Sequence, residues 1–261
     1  MASMPNDDGN LIIEAEDLDE FIQKDPRSKI FIRQIIGARE YINNIPRYCL
    51  WLVDAEPSEI KSIKPIYERV ESCRKYRLAS RRLATRKLAD TPWLFGEIRQ
   101  PTDGKYLIIP IVSSERRKYI PMGFLNFDVI ANASALIIPN ADLYLFGILT
   151  SSVHMIWMRA VAGRLKSDYK YSAQIVYNNF PFPNHNPKIE VTAQKILDAR
   201  SNHKNSSLAE LYDPLLMPED LQKAHNENDR AVIDAYGFPR SITESEIVSR
   251  LFEIYQELIR K

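Results

Sequence analysis

Cysteine is nearly absent from this 261-residue chain: only Cys49 and Cys73 occur, and neither belongs to a CxxC pair or a Cys/His cluster. That leaves no cysteine-based zinc site, and both thiols are expected to be buried and reduced. The four histidines, His154, His185, His203 and His225, are scattered without HExxH or other metal spacing. Long apolar runs are missing too. Segments such as YLIIPIV and SALIIP are too short to span a bilayer, and no cationic leader precedes an apolar core, so a cytoplasmic protein with no membrane partner is expected. Walker A, GxSxG and GxGxxG motifs do not occur, which removes the commonest nucleotide and hydrolase signatures.

Net charge is also small, at +1, but it is unevenly distributed. Residues 1–60 carry 6 Lys/Arg against 12 Asp/Glu, whereas residues 61–90 carry 10 against 3. Residues 91–183 carry 9 against 6, and residues 184–261 carry 10 against 13. A basic middle between acidic ends points to a polyanion bound on one face.

The segment pattern predicts an α+β fold, a mixed and mostly antiparallel sheet region with long helices followed by an α-helical C-terminal domain. Residues 1–10, rich in turn formers, read as a linker from an upstream domain. Residues 11–183 would form one domain and residues 184–261 the helical one, with Pro181, Pro183 and Pro187 marking the boundary. An acidic helix is expected within 14–25, a buried strand over 47–54 and a long helix from Pro65 to about Ala89. On that helix Ile66, Val70, Cys73, Arg77, Ser80 and Ala84 share one stripe. Short apolar segments from LFGEIRQ to SALIIP suit strands, residues 141–163 suit one apolar helix, and four helices fill 188–260. Thr243 and Glu246 form a capping-box signature before the last of them.

Catalytic constellations mostly fail. YNNFPFP only brushes against the Asn/Asp-Pro-Pro-Tyr/Phe loop of amino-methyltransferases, because Phe180 follows Asn179 where that loop needs proline. SSERRKY (113–119) lacks a second carboxylate at nuclease-like spacing, and His154 on its apolar helix suits a packed, hydrogen-bonded role. The chain alone therefore reads as non-catalytic, with no cofactor of its own. Basic material remains. Arg74, Lys75, Arg77, Arg81, Arg82, Arg86 and Lys87 fall within fourteen residues, and such side chains could position DNA through its phosphates. Ser113, Ser114, Arg116, Arg117 and Lys118 form a second hydroxyl-and-cation cluster, which also suits a plain turn between strands.

GRLKSDYKYS (163–172) places Arg164, Lys166, Asp168 and Lys170 on alternate residues, which in an extended strand share one face. A lysine can donate to guanine O6/N7 while a carboxylate accepts from cytosine N4 of the same pair. The wet face of a surface strand with a self-pairing Lys–Asp remains the competing reading.

SMPNDDGNL, RYCLWL, SSERRKYIPMGFL, GRLKSDYKYS and IVYNNFPFP, in this order, resemble the C-terminal part of MmeI-like type IIL restriction–modification enzymes. Such enzymes join an endonuclease, an S-adenosylmethionine-dependent adenine-N6 DNA methyltransferase and a target-recognition domain in one chain. The resemblance runs from about Ser3 to the end. It implies a DNA target-recognition domain followed by a helical C-terminal domain, with double-stranded DNA and the parent's upstream methyltransferase domain as partners. S-adenosylmethionine, and Mg2+ if the parent cleaves, would belong to that parent. By the same resemblance the loop at 163–172 enters the DNA groove, where Lys166 and Asp168 read one base pair. Lys170, Asn132, Ala133 and Ser134 are then candidates for adjacent positions, and Arg164 joins the cations that contact the DNA backbone. Two other classes stay open: a docking module using the acidic helices of 188–260, and a freestanding enzyme with an acid/base site around Glu115 or His154.

Overall fold

The computed structural model describes residues 1–260, and its helices and mostly antiparallel sheets are α+β as expected. The chain divides into two compact units. The first comprises residues 1–41, 45–104 and 125–137; the second comprises residues 42–44, 105–124 and 138 onward. The division therefore does not follow the Pro-rich segment. Phe180 is buried in an aromatic run with Phe182 and Tyr236, and the Tyr236 hydroxyl donates to the Pro181 carbonyl at 2.8 Å. The Pro-rich segment lies within the second compact unit, where it packs on helices of that unit.

In the first unit, Arg47–Leu50 lies between Ile12–Glu14 and Ile32–Ile36, antiparallel to both, with Cys49 opposite Ile12 and Arg33. Ile130–Ala131 adds a parallel strand against Ile35 and Ile36. Leu11, Ile13, Leu50 and Leu52 from the sheet region share a core with Ile60, Ile66, Val70 and Cys73 from the following helices. Burial raises the thiol pKa values, Cys73 to about 11, so both thiols are inert.

Residues 1–10 are not a linker. Ala2 and Ser3 are buried, Ser3 and Met4 bridge to Asn132 and Glu97, and the buried Asp7 carboxylate accepts from the Leu11 amide at 2.6 Å. Turn-forming residues here serve packed turns, not a free tether.

The basic helix is broken. It spans Lys64–Ala79, leaves helical geometry at Ser80 and resumes at Leu83–Lys87. The Arg86 guanidinium donates to the carbonyls of Ser80 and Arg81, satisfying acceptors released by the break. Ile66, Val70, Cys73 and Arg77 form the buried stripe, while Ser80 and Ala84 fall beyond the break. Arg77 is fully buried and donates to the carbonyls of Pro5, Asn6, Leu88, Thr91 and Leu94. A guanidinium suits this role because its fork presents five N–H donors in one plane.

In the second unit, Lys105–Pro110 forms a buried strand. The apolar helix expected over 141–163 is two helices, Leu143–Leu149 and Ser152–Val161. Ser151 causes the break: its hydroxyl donates to the Ile148 carbonyl and accepts from the His154 amide, capping the second helix. Pro187–Asn202, Leu208–Leu211, Glu219–Ala235 and Glu244–Ile259 complete the helical part, and the Thr243/Glu246 capping box is formed in both directions. Gly147 lets two helices meet. A Cβ there would come 2.5 Å from Ile189 Cγ2, and the Gly147 carbonyl accepts from Asn228 Nδ2 at 2.7 Å. Among the described residues no helix is long and apolar enough to cross a membrane.

Arg77→Ala is expected to lower unfolding stability by about 3 kcal/mol, because it leaves buried carbonyls without donors. Arg81→Ala, on the exposed break, should stay within about 0.5 kcal/mol. Urea titration of the two variants against the parent chain checks both values.

Candidate nucleic-acid interface

Two segments singled out separately in the sequence converge in the second unit. Val112–Ser113, Asp168–Lys170 and Gly163–Leu165 form a three-stranded antiparallel sheet with Asp168–Lys170 in the middle. Tyr169 stands opposite Ser113 on one side and Arg164 on the other. Lys166 and Ser167 make a two-residue turn at the tip.

This turn changes which side chains share a face. Residues directly opposite in an antiparallel pair project to the same side, and neighbours along a strand alternate. Arg164 therefore sides with Tyr169, and Asp168 with Leu165 and Lys170. The common face expected for Arg164, Lys166, Asp168 and Lys170 does not form, because the chain reverses direction at Lys166. Arg164 lies on the opposite face.

Lys166 has φ of +57°, and Ser167 does not share the positive sign. A positive φ at the first central position of a two-residue hairpin turn is a conformation that glycine usually takes. A side-chain-bearing residue there is disfavoured by about 1–2 kcal/mol. The surroundings hold it in place. Arg164 Nη1 donates to the Ser167 carbonyl at 2.7 Å, its guanidinium sits 3.9 Å from the Tyr169 ring centre, and it pairs with Glu115 at 3.3 Å. Asp168 Oδ1 accepts from the Glu115 amide at 3.3 Å. No hydrogen bond or ion pair among the described residues engages Asp168 Oδ2 or the ammonium groups of Lys166 and Lys170, so the Lys–Asp self-pairing of the competing reading does not form.

The 113–118 segment divides by burial. Ser113 is buried and its hydroxyl has no partner among the described residues, so it does not face a phosphate. Ser114 is half-buried and accepts from the Arg116 amide, while the side chains of Arg116 and Lys118 are exposed. Arg117 is half-buried. Burial lowers its pKa, and the nearby carboxylates of Asp168 and Asp213 oppose that shift. Behind the loop, the buried Tyr119 hydroxyl donates to Asp229 Oδ2 at 2.7 Å, and the Ser152 amide donates to Asp229 Oδ1 at 2.7 Å. Burial raises the Asp229 pKa, an effect those two donors and Lys118 oppose.

In the first unit, Asn132, Ala133 and Ser134 form a tight turn. Asn132 Oδ1 accepts from the Ser134 amide and hydroxyl, and Ser134 Oγ accepts from the Ala38 amide at 2.8 Å. Gly37 makes room for it, since a Cβ there would lie 2.2 Å from Ser134 Oγ. Asn132 and Ala133 are half-buried. Along the basic segment, Arg74 is half-buried and pairs with Glu71 at 3.4 Å, and the exposed Arg86 is bound to backbone carbonyls. Lys75, Arg81, Arg82 and Lys87 are exposed without an ion pair among the described residues. Arg77 is withdrawn from the phosphate-facing set, because its guanidinium is buried and fully used.

The residues proposed for acid–base chemistry have other uses. His154 is buried, its Nε2 is 2.8 Å from the Tyr171 hydroxyl, and burial lowers its pKa to about 3. Glu115 is an exposed ion-pair partner of Arg164. No group of three or more His, Cys, Asp or Glu among the described residues could hold a metal ion.

Residues 1–184 match the family described as "MmeI, target recognition domain", and residues 182–261 match "MmeI, C-terminal domain". The chain belongs to this family. It is 40% identical over 263 residues to DNA methyltransferase A of Bacillus subtilis (strain 168), covering 99% of this chain and 30% of that protein. A solved structure of the type IIL restriction–modification enzyme MmeI in complex with DNA superposes with a TM-score of 0.97 at 43% identity. That match covers all of this chain and 35% of the MmeI chain, so the chain spans about a third of the length of its relatives.

Asp229 gives a pH prediction. Its raised folded-state pKa means that its contribution to stability is present below the ordinary value of 3.8 and is lost as pH rises through the folded value. Asp229→Asn should remove this part of the pH dependence. Tyr119→Phe, which takes a donor from the buried carboxylate, should destabilise by about 1–3 kcal/mol at neutral pH. Urea midpoints measured from pH 4 to 8 read both effects.

Proposed function

We propose that this chain is the sequence-reading part of a restriction–modification protein whose remaining portion methylates adenine N6 in DNA. The observation that carries this reading is the hairpin tip, where Lys166 and Asp168 stand with free hydrogen-bonding groups on a scaffold shared with a DNA-bound relative. Exposed Lys75, Arg81, Arg82 and Lys87, with Arg116 and Lys118, supply phosphate contacts that position the duplex without reading it. Lys166 donates to guanine and Asp168 Oδ2 accepts from cytosine N4 of one base pair. Lys170, Asn132 and Ala133 address neighbouring positions; the Ser134 hydroxyl is already committed to its turn.

Methyl transfer to a base requires the target adenine to leave the stack. We assign that step, S-adenosylmethionine and any Mg2+ used in cleavage to the remainder of a cytoplasmic parent protein. In this reading the chain supplies recognition and the remainder of the parent supplies the chemistry. The upstream methyltransferase domain is the intramolecular partner.

Exchanging the charges, Lys166→Glu with Asp168→Arg in the parent protein, is expected to switch one recognised base from guanine to cytosine. Discrimination at that position should amount to about 1–3 kcal/mol in either orientation. A methylation-protection assay on both site variants decides it, and an unchanged preference overturns the base assignment. Duplex binding that weakens steeply between low and moderate salt is expected of the parent. Salt-independent binding would overturn the DNA reading altogether.

A further inference from the structure

We propose that Arg164 and Glu115 are positioning residues that lock the reading turn. The inference rests on the DNA reading above and reassigns a cation that its sequence neighbourhood places on a phosphate.

The partners that Arg164 has among the described residues all belong to the reading hairpin and its neighbouring loop, and both of its hydrogen bonds come from Nη1. One of its N–H groups holds the Ser167 carbonyl, its plane stacks on Tyr169, and its charge is paired with Glu115. It lies on the sheet face opposite Asp168 and Lys170. The Ser167 carbonyl belongs to the turn that keeps Lys166 at φ of +57°, so releasing it frees the backbone to leave a disfavoured conformation. Glu115 acts at two points. Its side chain holds Arg164 from one face, while its backbone amide fixes Asp168 Oδ1 on the other. One residue thereby sets both members of the Lys–Asp pair, and Asp168 Oδ2 is left without a hydrogen bond among the described residues.

The sign of the effect separates this role from electrostatics. If Glu115 merely repelled DNA, Glu115→Gln would tighten binding to every sequence. If it positions the reader, the same change loses discrimination. Arg164→Lys keeps the charge but loses the planar fork and much of the stacking.

The experiment uses the full-length parent protein and compares Arg164→Lys and Glu115→Gln with the wild type, with Arg164→Gln added for the salt slope. Discrimination at the base pair assigned to Lys166 and Asp168, the salt slope of duplex binding, and trypsin cleavage after Lys166 without DNA are all measured. We expect about a tenfold loss of discrimination in each variant, the scale of one base contact, with an unchanged salt slope. Faster cleavage at the loosened tip is expected in both. Full discrimination with wild-type cleavage would overturn the proposal, as would a loss uniform across sequences with a slope reduced by about one in Arg164→Gln. If wild-type protein itself shows no salt-dependent binding, the DNA reading fails. Faster cleavage in the variants would still report the lock.

Discussion

The candidate interface depends on the pairing of Asp168–Lys170 with Val112–Ser113. A two-stranded hairpin with three-residue arms has too few hydrogen bonds and too little apolar cover to hold its shape in water. Here the inner arm gains a third strand, and the Tyr171 amide extends the ladder by donating to the Ile111 carbonyl at 2.7 Å. Tyr171 is then buried, with its hydroxyl on His154 from the helix Ser152–Val161. The tip is a short lever whose base is rooted in a core. Every other feature of the reader follows from that register: which face Arg164 takes, the reach of the Glu115 amide to Asp168, and the unusual backbone at Lys166.

Burial, more than residue type, decides what each charge does. Arg77 and Arg81 lie four residues apart in the same basic run, yet one is sealed among five carbonyls and the other is exposed. Arg77 gathers acceptors from residues 5–6 and 88–94 around one guanidinium, joining the first residues of the chain to the end of the basic segment. A buried cation without such acceptors would be severely disfavoured. The density of arginine in this region therefore serves two ends, packing and surface charge, and composition merges them.

Much of the architecture was legible because it rests on local rules. The capping box at Thr243, the strand at Cys49, the stripe from Ile66 to Arg77 and the C-terminal helices all follow from periodicity or cap chemistry. The breaks at Ser80 and Ser151 were not legible, since a serine in a helical pattern is neutral until its hydroxyl finds a partner. The hairpin was missed for a related reason. Lys166–Ser167 carries none of the Asn-Gly or Gly-X chemistry that announces a two-residue turn, and the hydrogen bond from Arg164 that supports it depends on Glu115, 49 residues away. Strict charge alternation looked like a strand running straight through the point where the chain reverses.

Asp168 shows why such support matters. A carboxylate near phosphates is electrostatically unfavourable, and at physiological salt only charges within about 8 Å act strongly on it. Its value in the proposed reading role would come from what a wrong base leaves undone. Opposite cytosine N4 the carboxylate gains a donor; opposite an acceptor edge it is desolvated and unpaired, a loss that exceeds the gain from the correct contact. That asymmetry discriminates only if the carboxylate cannot turn away to find water or a lysine. With Oδ1 tied to the Glu115 amide, turning the carboxylate away costs a hydrogen bond. Under the proposed reading, specificity at this position is thus a property of the constraint as much as of the charge, and the constraint comes from a residue that itself never needs to touch a base.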